Sequence, residues 1–165
     1  MLVQQAVHWR DVGKSLREIA DGILALRDHV KLYGALEQID QLRQGGRFAR
    51  GMVLLGHMLN IKPVLLIAGG SFSLLGKARG TQAAEERVLS ELRRDLEAEK
   101  IDVNLPISLM YASDSDRAQQ FYRKVQALLP DHALSIHEIG PVVGTHTGSG
   151  VMGISYFMKD SFASE

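Results

Sequence analysis

The sequence has no cysteine. That excludes disulfides, thiolate metal sites and a cysteine nucleophile, and it suits a cytoplasmic protein. It has no excess of either charge, because 19 Lys and Arg balance 19 Asp and Glu. No overall field therefore recruits nucleic acid or anionic membrane, and an anion site has to be local. Long apolar runs are missing too. The longest apolar-rich stretch, Met52 to Leu59, is broken by Gly56 and His57 and is too short to span a bilayer. The first ten residues, Met1-Leu-Val-Gln-Gln-Ala-Val-His-Trp-Arg10, carry neither a basic n-region nor a long apolar h-region, so no signal peptide is expected. The six histidines fall into no metal-ligand spacing: His132 and His137 point to opposite sides of an expected strand, and His8, His29 and His57 have no acidic ligand at a suitable interval.

What remains is an ordinary soluble composition, 45% apolar and 23% charged, and a length of 165 residues that suits one domain over 1–165. Leu16, Ile19, Ile23, Leu26 and Val30 recur at helical spacing behind Ser15, a suitable N-cap. Leu32, Leu36, Ile39 and Leu42 continue the helical pattern at a new phase, so residues 1–43 read as a helical segment. Phe48 to Leu59 is apolar nearly all round and reads as a buried helix. The period then changes. Val64 to Ala68 and Phe72 to Leu75 flank Gly69-Gly70-Ser71, a hairpin signal. Thr81 to Lys100 reads as a helix with Val88, Leu89, Leu92 and Leu96 buried and its charges opposite. Leu105 to Ala112 is an expected strand. Ser113 is expected to cap a helix running to Leu129, with Ala118, Phe121, Val125 and Leu128 on its apolar face. Ala133 to Ile139 and Val151 to Phe157 are further expected strands around a glycine-rich loop. These elements predict a two-layer α/β sandwich, a mixed sheet covered by helices.

That loop, Gly140-Pro-Val-Val-Gly-Thr-His-Thr-Gly-Ser-Gly150, places His146 between two hydroxyls among four glycines. An imidazole flanked by Thr145 and Thr147 suits a small anion or carboxylate. The stretch lacks the Gly-Lys-Ser/Thr of a P-loop, and an expected strand follows where a dinucleotide fingerprint needs a helix. No nucleophile elbow or nearby acid-base pair accompanies it, which favours binding over catalysis. Arg47, after Gly45-Gly46, reads either as a solvated residue at a helix C-cap or as a guanidinium that grips an anion. Lys77 and Arg79 read either as solvated edge-strand charges or as a docking surface for an acidic partner.

Arg47, Leu59-Asn-Ile-Lys-Pro63, Lys77-Ala-Arg79 and Ile139-Gly-Pro-Val-Val-Gly-Thr-His-Thr-Gly148 occur in one order and spacing. Together, over about Val7 to Phe157, they resemble the DegV family. The resemblance implies a two-domain protein that holds a long-chain fatty acid in a tunnel. Such a protein is not itself an enzyme and needs no cofactor. It acts as the acyl-binding subunit of bacterial fatty acid kinase, whose catalytic subunit phosphorylates the bound carboxylate for phospholipid synthesis. Carried over, His146 and Arg47, with Thr145 and Thr147, surround the carboxylate, and Lys77 and Arg79 meet the kinase. Phe48, Met52, Leu55 and Met58 line the tunnel or equally pack the core. Ser149 stands where the family usually has proline. The sequence corresponds to the family's C-terminal domain, so the expected partners include an N-terminal DegV domain if that is encoded separately. Two rival readings stay open: an interaction or structural module that has lost its ligand, and a small phosphotransfer or hydrolytic enzyme using His146.

Overall fold

The computed structural model describes residues 1–37, 60–160 and 162. Their elements run α1 (Leu2–Asp11), α2 (Leu16–Arg27), β1 (Val30–Ala35), β2 (Ile61–Ala68), β3 (Ser71–Arg79), α3 (Thr81–Glu97), β4 (Ile107–Tyr111), α4 (Ser115–Leu128), β5 (Leu134–Glu138), α5 (Pro141–Thr147) and β6 (Met152–Phe157). The strands form one sheet in the order β3-β2-β1-β6-β4-β5. Only β4 and β5 pair in parallel, joined through α4; the other pairs are antiparallel. This is the mixed α/β sheet that the sequence predicts.

Helices α3 and α4 cover one face. Val88, Leu89 and Leu92 from α3, and Ala118, Phe121 and Val125 from α4, form one core with Tyr33, Val64, Leu109, Ile154 and Tyr156 of the sheet. Each such large apolar side chain contributes about 1.5–3 kcal/mol on burial. The other face is approached at the β4–β5 end by α1, where Ser108 donates to Gln4 Oε1 at 3.1 Å and Gln4 Nε2 donates to Ser135 at 3.4 Å.

The Gly69-Gly70 hairpin forms as expected. Both glycines have positive φ, 53° and 72°, the pair that a primed two-residue turn requires. Ser15 caps α2 in a reciprocal capping box with Glu18.

Four expectations differ. Val30–Ala35 is a strand and not a continued helix. It lies between β2 and β6 with Lys31, Tyr33 and Ala35 buried on one face and Val30 and Leu32 half-buried on the other, so apolar residues stand on both faces and imitate a helical stripe. The charges of α3 do not all face water: Glu85, Glu91 and Asp95 are 6%, 3% and 3% exposed. Each meets a cation, Arg117 for Glu85, Arg87 and Arg94 for Glu91, and Lys31 for Asp95. The cap of α4 is Asp114, whose carboxylate accepts from the Arg117 backbone N–H at 2.9 Å, while Ser113 takes a left-handed φ of 71°. Finally, the glycine-rich stretch is not a loop: residues 141–147 form α5, with Pro141 in the first turn where its missing N–H costs nothing. The expected helix from Phe48 to Leu59 lies outside the described residues.

Candidate functional site

Helix α5 stands on the C-terminal end of β4. Ile139 N donates to Tyr111 O at 2.7 Å on one side of the excursion, and Gly150 N donates to Ala112 O at 3.1 Å on the other. Ala112 N returns a bond to Val151 O at 3.1 Å. A seven-residue helix is too short to be stable by itself, so these anchors hold it in place. His146 lies exposed in its last turn, and Thr145 is exposed beside it. The threonine hydroxyls do not point free donors outward. Thr145 Oγ1 donates to Pro141 O at 2.6 Å and Thr147 Oγ1 to Val143 O at 3.1 Å. A negative ligand at this turn would thus find its side-chain donor in the imidazole, with both threonine protons already used.

Next to the segment that follows α5, at Ser149 and Gly150, lies an open cleft of about 690 Å³, lined also by Glu37, Thr81, Asp114, Asp116 and Arg117. Its floor is an ion-pair network that sequence reasoning missed. Glu37, just past β1, is paired with Lys62 of the Asn60-Ile-Lys-Pro63 motif. It also accepts from Thr81 Oγ1 at 2.8 Å and Arg117 Nη1 at 3.2 Å. Arg117 Nε donates to Glu85 Oε1 at 2.5 Å, and Nη1 also donates to Gly150 O at 2.9 Å. Burial pushes the Glu37 carboxyl up, but the hydrogen bonds from Lys62 and Thr81 and the charges of Lys62 and Arg117 outweigh it and hold the group below its ordinary range. Lys62 and Thr81 sit in segments the sequence had marked. Glu37 and Arg117 are 80 residues apart, and no periodicity or motif connects them.

Lys77 and Arg79 are exposed on β3, an edge strand, opposite Pro63 and Ile61. Arg79 is two residues from Thr81, so this end of β3 runs toward the cleft. Arg47 and the expected lining residues Phe48, Met52, Leu55 and Met58 lie outside the described residues. Among the described residues, no group of three or more His, Asp or Glu could hold a metal ion, and no helix is long and apolar enough to cross a membrane.

Comparison with known proteins gives a consistent result. A DegV domain-containing protein of Clostridium acetobutylicum is 30% identical over 159 residues, 96% of this chain and 55% of the relative. A second from the same organism is 29% identical over 89% of this chain and 51% of its own length. The chain thus spans about half the length of the curated relatives it matches. Among solved structures, the fatty-acid-binding DegV family protein of Thermus thermophilus superposes with a TM-score of 0.75 at 26% identity, over 96% of this chain and 56% of that one. The family model described as "Uncharacterised protein, DegV family" matches residues 1–159. With the fold, the glycine-rich His146 segment and the Asn60-Ile-Lys-Pro63 entry to β2 all in place, the chain belongs to the DegV family.

Proposed function

We propose that this chain is the carboxylate-reading part of a cytoplasmic fatty-acid carrier that presents a long-chain fatty acid to a partner kinase. The observation that carries this reading is the placement of His146 in the last turn of a short helix anchored to the end of β4, open to a ligand while the neighbouring hydroxyl protons are engaged. It is supported by the membership of the chain in a family whose Thermus thermophilus representative binds fatty acid. Arg47 would join His146 at the head group, and Phe48, Met52, Leu55 and Met58 would meet the acyl tail. Lys77 and Arg79, exposed on the edge strand, would dock the kinase.

The energetics divide the ligand in two. The tail supplies affinity at about 0.8 kcal/mol per buried CH₂. The head must keep a partner, because an unpaired buried carboxylate is costly. Removing one charge-assisted hydrogen bond costs about 1.5–3 kcal/mol. His146→Ala in the complete gene product should therefore weaken binding of a fatty acid by that amount and leave its methyl ester nearly unchanged. A titration of acid against ester checks this, and equal losses for the two ligands would sink the reading.

A further inference from the structure

The ion-pair network of the cleft reaches the chain just past α5, at the Gly150 carbonyl. Arg117 spans three elements with one guanidinium: Glu85 on α3, Glu37 after β1, and the backbone carbonyl of Gly150, three residues beyond the end of α5. Its side chain is 18% exposed, and Glu85 and Glu37 are 8% and 26% exposed, so the contacts are partly shielded from water. Gly150 itself is packed against the network. It has φ 81°, and a Cβ there would overlap Glu37 Cγ. The chain at this point is thus held by backbone conformation, by close contact with Glu37 and by a charged hydrogen bond to its carbonyl. Ala112 supplies the fourth restraint through Gly150 N.

The planar fork of arginine suits this task and an ammonium does not. Arginine presents five donors in a fixed geometry, so one side chain can bond a carboxylate through Nε and a carboxylate plus a carbonyl through Nη1. Lysine at 117 would keep the charge but gather its donors on one nitrogen at the end of a flexible stem. Nothing in the family comparison or in the motifs assigns a role to this residue.

We infer that Arg117, fixed by Glu37 and Glu85, is a positioning residue that sets the height and orientation of α5 and so holds the His146 imidazole where it can meet a ligand carboxylate. The inference rests on the proposed function for its ligand, but the geometry it describes exists without one. The observation that carries it is the single guanidinium joining the Gly150 carbonyl to two buried or half-buried carboxylates.

The test compares the complete gene product with Arg117→Lys, Glu37→Gln, His146→Ala and the Arg117→Lys/His146→Ala double variant. Two readouts are needed. In amide hydrogen exchange, Arg117→Lys should raise exchange at Gly148 and Gly150 by about tenfold or more, as loss of a charge-assisted bond implies, with the amides of β1 and β6 unchanged. In titrations with palmitate and methyl palmitate, Arg117→Lys should weaken acid binding by about tenfold and ester binding by less than about twofold. Glu37→Gln should move both readouts in the same direction by less. The double variant should be no weaker toward the acid than His146→Ala alone, because both changes act on one contact. Unchanged exchange at Gly148 and Gly150 overturns the inference even if no fatty acid binds. Equal losses for acid and ester in Arg117→Lys, or additive losses in the double variant, also overturn it while leaving the carboxylate reading intact. Should His146→Ala fail to separate acid from ester while exchange at Gly150 rises as expected, the proposed ligand is wrong and the positioning role stands.

Discussion

Replacing Asp95 by asparagine isolates a deeply buried charge of the fold. Lys31 Nζ donates to Asp95 Oδ2 at 2.6 Å, Tyr156 OH to the same oxygen at 2.7 Å, and Tyr33 OH at 3.4 Å. The Lys31 and Asp95 side chains are 8% and 4% exposed, and the ammonium also lies 5.0 Å from the centre of the Tyr33 ring. An amide at position 95 keeps the shape and one acceptor but removes the charge, and Lys31 is left as a buried cation facing dipoles and the rings of Tyr33 and Phe162. Breaking one side of a buried pair destabilises by about 3–5 kcal/mol. For a chain of this size each kcal/mol lowers the melting midpoint by roughly 2–4 °C, so Asp95→Asn should melt about 6–20 °C lower. Urea denaturation followed by circular dichroism gives the free energy directly, with the m-value checking that the transition stays two-state. The same substitution in a Lys31→Met background should cost clearly less, because no cation remains to be stranded. A loss below about 1 kcal/mol in the wild-type background, or an equal loss in both, would refute the reasoning.

Further outcomes follow from the same contacts. Burial and the bond to Asp95 push the Tyr156 hydroxyl well above its ordinary range, and burial raises Tyr33. A group raised in the folded state contributes stability that is intact below its unfolded value, so stability should hold to about pH 10 and fall above it. Tyr156→Phe should flatten that alkaline limb in pH-dependent urea melts. Glu37 is held below its ordinary range, so its contribution is present above about pH 4.3 and is lost as pH falls. Glu37→Gln should reduce the dependence below about pH 4.3 in the same melts, and an unaltered acid limb would argue against the Lys62–Glu37 pair. If the proposed kinase docking is right, reversing Lys77 and Arg79 to glutamate should slow association with that partner and its acyl phosphate output without changing fatty-acid affinity, since rim charges act mainly on association rate. Loss of fatty-acid binding in that variant would place the two residues in the site or the core.

What could be read from the chain depended on how local its cause was. The Gly69-Gly70 turn and the Ser15 capping box announce themselves because a few adjacent residues satisfy each other. Val30–Ala35 did not, because apolar residues stand on both of its faces and blur the alternation, and its neighbours β2 and β6 begin 61 and 152 residues into the chain. The buried acids of α3 followed the rule that charges face water until their partners Lys31 and Arg117 were placed beside them by the sheet and by α4. At the candidate site, the glycine-rich segment pointed to His146 but hid a helix, because glycine lowers helix propensity and the anchors at Tyr111 and Ala112 that override it are remote in sequence. Glu37 and Arg117 carried no signal at all, since ordinary charged residues gain meaning only from what they touch.

The most direct test of the account is to ask what the protein carries. The complete gene product, expressed in bacteria and purified without detergent, should appear in native mass spectrometry with one added mass in the range of a C14 to C18 fatty acid. Lipid extraction should return the same acid. His146→Ala should lose most of that mass while retaining the wild-type fold by circular dichroism. A wild-type protein that is ligand-free when isolated and takes up no added palmitate, or a His146→Ala variant that keeps its acid at full occupancy, would contradict the account.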